Sequence, residues 1–270
     1  MNAIVCWLLK PVTRQDRLTC WLIAAWVIAL YFTAYLKFAS TEEAMRRGVA
    51  ACVFLQASAV LVILYRAWGT WRTAWTALAV LAPAWASEAI GLATGYPFGE
   101  YLYSDWLQPQ FAGVPLIVPV AYLIMLPVAW AIARCWTGTD RGVYFIGLSA
   151  LGFTAWDLFM DPQMVSWGFW TWTHPGGWGG YYGIPWTNFL GWVLVSAIIT
   201  ALARPRQLPV SPLLAIYAIT WILETLGQFL LWNLPGPGLA GFLCMGCLTG
   251  TAWWNVWRKR DRSPDGRATP

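Results

Sequence analysis

The stretch Arg141–Asp161 reads RGVYFIGLSALGFTAWDLFMD, and between Arg141 and Asp157 it contains no charged residue. About 20 consecutive apolar residues is the length that the hydrocarbon core of a bilayer requires of a helix. Inside lipid every backbone N–H and C=O must be satisfied within the segment, so the stretch predicts a transmembrane helix over 141–161. Two acids, Asp157 and Asp161, then enter one helical turn apart, and PQMVSWGFWTW (162–172) follows with Trp167, Trp170 and Trp172.

The same pattern recurs along the chain. Apolar spans are predicted at about 18–37, 49–66, 74–93, 114–134, 141–161, 187–203, 211–232 and 237–257. Pro115, Pro162, Pro185, Pro212, Pro235 and Pro237 mark their borders, whereas Pro83, Pro119 and Pro127 fall inside them and predict kinks. Only 11% of the 270 residues are charged and 59% are hydrophobic, against about 25% charged in a soluble domain. These features predict an all-α fold: a polytopic membrane helical bundle of about eight transmembrane helices.

Basic residues set the orientation. Of the 17 Lys and Arg, only Lys37, Arg46 and Arg47 fall on the side opposite the N-terminus. Both termini are therefore expected to be cytoplasmic, in a multi-pass protein of the cell (plasma) membrane. Residues 1–17 read as a retained amphipathic, cytoplasmic lead-in rather than a signal peptide, because no basic region precedes their short apolar stretch. Residues 18–257 form one transmembrane helical domain, and 258–270 a basic cytoplasmic tail. The net charge of +5 follows from this topology and does not point to nucleic acid.

Metal chemistry finds little support. Cys244-x-x-Cys247 is a lone pair in an apolar segment, and His174 is the only histidine; zinc and iron–sulfur sites need more ligands.

The two long external loops, about 94–113 and 162–186, contain no Lys or Arg and are rich in Gly, Pro, Trp and Tyr. An aromatic belt at the interface accounts for such residues, but not for loops so long and so poor in charge. A lid or mouth over a cavity open to lipid is the alternative.

The acids divide into two sets. Asp16, Glu42, Glu43, Asp140, Asp261 and Asp265 are ordinary solvated charges, whereas Glu88, Glu100, Asp105, Asp157, Asp161 and Glu224 have no Lys or Arg near them in sequence. Glu88, Asp157 and Glu224 each lie about 13–16 residues into an outward-running span, roughly 20–24 Å deep at 1.5 Å per residue. An ionised side chain there costs about 2.5–3.5 kcal/mol, so a low dielectric favours the neutral carboxylic acid, which can donate a proton. Buried acids also bond indoles, phenols and free backbone, and that structural role stands as the alternative for each. Trp85/Glu88/Gly91 and Trp221/Glu224/Gly227 share the pattern Trp-x-x-Glu-x-x-Gly, a short internal echo.

Twenty-two tryptophans accompany these acids. Many serve packing and the interface. Aromatic faces also attract cations, by about 2 kcal/mol when desolvated, without trapping them covalently. An acid beside Trp156, Trp167, Trp170, Trp172 and Trp186 therefore suits carbocation chemistry on an apolar polyene.

Three stretches, GYPFGEYLYSDWLQPQFAGVPLIVPVAY (95–122), TAWDLFMDPQMVSWGFWTW (154–172) and GGYYGIPWTNFLGW (179–192), resemble the CruF-type carotenoid 1,2-hydratases, integral membrane proteins of carotenoid biosynthesis. The resemblance covers roughly 80–260 and omits the N-terminal span. It implies a cofactor-independent hydro-lyase that adds water across the C1=C2 bond of an acyclic (ψ) end group, giving a tertiary 1-hydroxy carotenoid. Substrates would be lycopene- or γ-carotene-like molecules or C50 carotenoids taken from the lipid, with other carotenoid-pathway enzymes as further partners.

The residues fit such a reaction. An acid protonates C2, a cation forms at C1, and a second carboxylate takes a proton from the attacking water. Asp157 and Glu88 are the candidate donor and its partner, in either order, with Glu224 and Asp161 completing the catalytic set. Asp105, Glu100 and Asn188 are candidates for positioning water, and Tyr101, Tyr103, Tyr181 and Tyr182 for lining the site. An end-group cyclase would use the same protonation and let an internal double bond capture the cation. A membrane carrier or a carotenoid-binding protein would also place acids in the bilayer.

Overall fold

The computed structural model describes residues 14–39, 42–174 and 180–261. The lead-in (1–17) and the basic tail (258–270) therefore lie, but for a few residues, outside the described residues. Seven helices carry the described fold: α1 (Arg14–Ala39), α2 (Glu42–Thr94), α3 (Ile117–Thr137), α4 (Val143–Ser166), α5 (Trp186–Ala203), α6 (Val210–Leu230) and α7 (Pro235–Asp261). Six of them, α1 to α6, contain stretches long and apolar enough to cross a membrane. The protein is an all-α, multi-pass membrane bundle.

Helix α2 accounts for two of the predicted spans. A straight helix across Glu43–Thr94, 52 residues, would be about 78 Å long, far more than one bilayer. The helix breaks at Gly69 (φ 75°, ψ 177°), a backbone region open essentially to glycine alone. Arg46 at one end of α2 donates to the Trp106 carbonyl (3.3 Å), and Trp85 near the other end donates to the Phe111 carbonyl (3.3 Å). Trp68, at the break, donates instead to the Gln207 carbonyl (3.0 Å). Both ends thus meet the 95–113 loop while the bend sits at the opposite face of the bundle, so α2 crosses twice.

Helix α3 is the central pillar: 78% of its span is buried, against 17–61% for the others. It packs against α2, α4, α6 and α7. Polar pins tie the helices together where lipid offers no hydrophobic drive for helix association. The Trp130 indole donates to Thr200 Oγ1 (2.9 Å), Trp136 to the Leu248 carbonyl (3.1 Å), and the Tyr217 hydroxyl to the Gly152 carbonyl (2.9 Å). Helix α7 covers the eighth predicted span but is glycine-rich and less apolar, and it packs on α3, α4 and α6.

Local rules of proline placement fail at two points. Pro162, predicted to end its span, lies inside α4, which runs on to Ser166. A proline cannot donate to the carbonyl four residues earlier; here the Tyr181 hydroxyl donates to that carbonyl, of Leu158, at 3.1 Å. Pro119 falls in the first turn of α3, where a missing N–H leaves no helical bond unmade.

The two long loops are structured and joined. Strand β1 (Tyr101–Tyr103) pairs antiparallel with β4 (Trp170–Trp172), with Tyr101 opposite Trp172 and Tyr103 opposite Trp170. Strands β2 (Gln110–Phe111) and β3 (Val114–Pro115) form a second, smaller pair. The helical prediction did not include these ribbons.

Candidate active site

Strand geometry places residues two apart on one face. Tyr101 and Tyr103 of β1 therefore face the bundle while Leu102 between them is exposed, and Trp170 and Trp172 of β4 lie directly across from them. The ring pairs Tyr101–Trp172 and Tyr103–Trp170 are 5.9 and 5.8 Å apart. The ribbon thus presents four aromatic rings toward the acids below.

Glu88, 2% exposed, is surrounded by phenols. Tyr101 and Tyr103 donate to its Oε2 at 2.6 and 2.8 Å, and Tyr122 from α3 donates to Oε1 at 3.0 Å. Burial, reinforced by the charge of Glu88, pushes the Tyr101 and Tyr103 hydroxyls well above their ordinary range, so both remain protonated donors. Gly91 makes room for this arrangement: a Cβ there would come within 2.8 Å of Phe98 and of the Tyr101 hydroxyl.

Asp157 and Asp161 lie one turn apart on one face of α4, both essentially fully buried. Asn188, in the first turn of α5, spans them: its amide nitrogen is 2.5 Å from Asp161 Oδ2 and 3.3 Å from Asp157 Oδ2. Its own oxygen accepts the Trp192 indole N–H at 3.0 Å, one turn along α5. The Trp170 indole donates to Asp161 Oδ1 at 3.1 Å. Asp157 Oδ1 and Trp156 Nε1 are buried with no hydrogen-bond partner among the described residues, a costly condition for polar atoms.

A cavity of about 40 Å³ separates the Glu88 and Asp161 groups. Glu88, Asp161, Asn188, Tyr101, Tyr103 and Trp170 supply its polar wall; Trp172, Trp192, Phe98 and Met160 are among its apolar neighbours. It has room for about one water molecule. Beside it Tyr122 stacks on Trp192 (4.8 Å, 12°), and Phe153 packs against both rings.

The other predicted site residues are placed as follows. Trp156 is buried on α4 next to Asp157. Trp167 packs on Trp232 and Phe169. Trp186 is half exposed and contacts Tyr181 and Phe189. Asp105 is exposed. Glu100 is also exposed and reaches Thr173 and His174. Glu224 shares no hydrogen bond with the cluster among the described residues and does not line the cavity. The structure therefore joins Glu88, Asp157 and Asp161, with Asn188, Tyr101, Tyr103, Trp170 and Trp172. It leaves Glu224, Asp105, Trp167 and Trp186 outside.

Tyr122, Trp192, Phe153 and Phe98 belong to the site and were not predicted. Trp192 was within reach of sequence reasoning, since it lies four residues after Asn188 and so shares its helix face. Among the described residues no cluster of three or more His, Cys, Asp or Glu is arranged to hold a metal ion.

The family model described as "Carotenoid biosynthesis protein" matches residues 48–232. The bisanhydrobacterioruberin hydratase of Haloarcula japonica is 31% identical over 118 residues, which is 43% of this chain and 39% of that protein. The chain thus matches about two fifths of the length of that curated relative. No solved structure matches.

Proposed function

The chain belongs to the carotenoid biosynthesis protein family, and from that premise we propose that it is a hydratase of an acyclic carotenoid end group, adding water to C1=C2 without a cofactor. One observation carries the reading: Asp161, bridged to Asp157 by Asn188, faces the phenol-held Glu88 across a water-sized, tryptophan-walled cavity. The hydratase name of the Haloarcula relative points the same way.

The hydrogen bonds support a division of roles. Both Glu88 oxygens already accept hydrogen bonds from phenols, so its hydrogen-bonding geometry is that of an acceptor. Two neighbouring carboxyls in a dry site hold one shared proton more cheaply than two charges. The Asp157–Asp161 pair is therefore the donor and Glu88 the acceptor. The pair's proton adds to C2 as the C1=C2 π bond breaks, leaving a tertiary cation at C1. Trp170 and Trp172 lie over the cavity and attract that cation. A water oxygen bonds to C1, and the resulting oxonium loses a proton to Glu88. A protonated alcohol is far more acidic than a carboxylic acid, so a weak base suffices. Water in the cavity, which both Glu88 and Asp161 line, returns the proton to the pair. The net change is alkene plus water to tertiary alcohol.

Expression in a lycopene-producing host tests the reading. The expected pigment is more polar and heavier by one water, and Asp157→Asn with Asp161→Asn abolishes it. A ring-bearing product of unchanged mass would make the chain a cyclase. Lycopene recovered unaltered from membranes containing the folded protein, with γ-carotene and C50 acyclic carotenoids equally untouched, would reject both.

A further inference from the structure

We propose that the end of the bundle opposite the acids holds a binding site for a phosphate-bearing anion, supplied by the headgroup of an anionic phospholipid. A concavity of about 510 Å³ there is lined by Arg72, Arg134, Arg141 and Arg206, with Asp140 and Gln207. That volume lies within the roughly 300–1,000 Å³ typical of small-ligand pockets.

Membrane topology accounts for arginines at this face but not for their convergence. They come from three separate turns, after the Gly69 bend, between α3 and α4, and between α5 and α6. Hydrogen bonds lace these turns together: Trp68 to the Gln207 carbonyl (3.0 Å), Arg72 to the Arg206 carbonyl (3.0 Å), and the Gln207 N–H to Asp140 Oδ2 (2.9 Å). Arg134 pairs with Asp140 at 3.4 Å. Arg72, Arg141 and Arg206 have no ion pair among the described residues, so the pocket presents three guanidinium groups without a carboxylate partner, of which Arg72 also lies over the Trp68 ring at 4.8 Å. Each is a planar fork matched to phosphate oxygens.

The surroundings favour a lipid headgroup as the source. Trp71 and Tyr144, next to Arg72 and near Arg141 in sequence, are 84% and 81% exposed. Aromatic side chains of this kind settle at the boundary between headgroups and acyl chains. Basic pockets between helices on the cytoplasmic side are where anionic headgroups bind, and the charge bias of the sequence assigns this face to the cytoplasm.

The test measures the Tm of the detergent-solubilised full chain against added phosphatidylglycerol, phosphatidylcholine or inorganic phosphate. The expected result is a saturable rise with phosphatidylglycerol and none with phosphatidylcholine. Arg141→Gln with Arg206→Gln, neither of which supports the fold through an ion pair, should weaken the phosphatidylglycerol response at least about tenfold. Either single variant, the fallback if the double variant does not fold, should weaken it about fivefold. A rise with inorganic phosphate that depends on the same arginines would keep the phosphate site and move its source to a soluble anion. Equal responses to both lipids with none to phosphate, or a response unchanged in all the Arg141 and Arg206 variants, would overturn the proposal.

Discussion

The carboxamide of Asn188 lies 2.5 Å from the carboxyl of Asp161. Because the same amide group reaches Asp157, one neutral side chain holds two acids of α4 in a common orientation while Trp192 fixes its own oxygen. If those acids supply the proton, Asn188 is a positioning residue whose loss matters without touching the acids. Asn188→Ala should lower pigment conversion about 100-fold, the lower end of what general acid–base groups contribute. Asn188→Gln should recover little, because an extra methylene displaces the amide. Conversion per folded protein, read by pigment chromatography, checks this, and a wild-type rate in Asn188→Ala would exclude a positioning role.

Tyr122 contributes a hydroxyl to Glu88 and a ring to Trp192. Tyr122→Phe keeps the stack and removes only the donor. A hydrogen bond to a charged group is worth about 1.5–3 kcal/mol, so conversion should fall roughly 10- to 100-fold with little change in Tm. Tyr122→Leu removes the stack too and should cost stability as well. A Tm drop in the Phe variant as large as in the Leu variant would show that the hydroxyl serves the fold rather than Glu88.

Glu88 and Glu224 share a sequence pattern and, in part, a local structure. Trp85 donates to the Phe111 carbonyl and stacks on that ring at 5.2 Å; Trp221 donates to the Phe242 carbonyl and stacks on that ring at 5.4 Å. Of the two, only Glu88 lines the cavity, together with Asp161. Glu88→Gln should therefore cost at least about 100-fold in conversion, whereas Glu224→Gln should stay within about threefold of wild type, since no hydrogen bond to the reacting cluster is lost. Parallel losses in both variants would return Glu224 to the mechanism.

These two residues also show what a sequence can and cannot place. Counting residues from the start of a span gives depth, and depth grouped Glu88, Asp157 and Glu224 together. It does not give rotation about the helix axis, and Glu224, counted to a similar depth, does not line the cavity. The spacing of four between Asp157 and Asp161 was legible because it is intrahelical. Tyr122 was not, because its partner comes from another helix and a tyrosine in an apolar span carries no mark of that. The β1–β4 ribbon was hidden for a similar reason: three-residue strands paired across nearly 70 residues leave almost no periodic signal. The turn between the spans 49–66 and 74–93, by contrast, was legible from two apolar stretches parted at Arg66 and Arg72, though its place at Gly69 was not.

That bend yields a stability prediction. A Cβ at Gly69 would meet nothing within 4 Å, so any penalty of Gly69→Ala is backbone strain alone. In this φ/ψ region it should cost about 1–3 kcal/mol. Asn, which tolerates the ordinary left-handed helical region, should not relieve it, because ψ near 180° lies outside that region. Thermal unfolding in detergent distinguishes the cases: Ala and Asn variants equal to wild type would mean the turn adopts another conformation.

Pro162 and Tyr181 form a compensating pair that a double-mutant cycle can expose. Pro162 lacks the N–H that would satisfy the Leu158 carbonyl, and the Tyr181 hydroxyl takes its place at 3.1 Å. Tyr181→Phe leaves that carbonyl without its donor and should cost about 1–3 kcal/mol of stability. Pro162→Ala restores a backbone N–H and alone should change little, because the carbonyl already has a partner. In the Pro162→Ala background, Tyr181→Phe should cost less than half as much, since the new N–H closes the helical bond. The coupling between the two substitutions, from Tm or denaturant midpoints, measures the compensation directly. Strict additivity would mean that Tyr181 contributes by packing on Trp186 and Phe189, and that α4 tolerates its internal proline for some other reason.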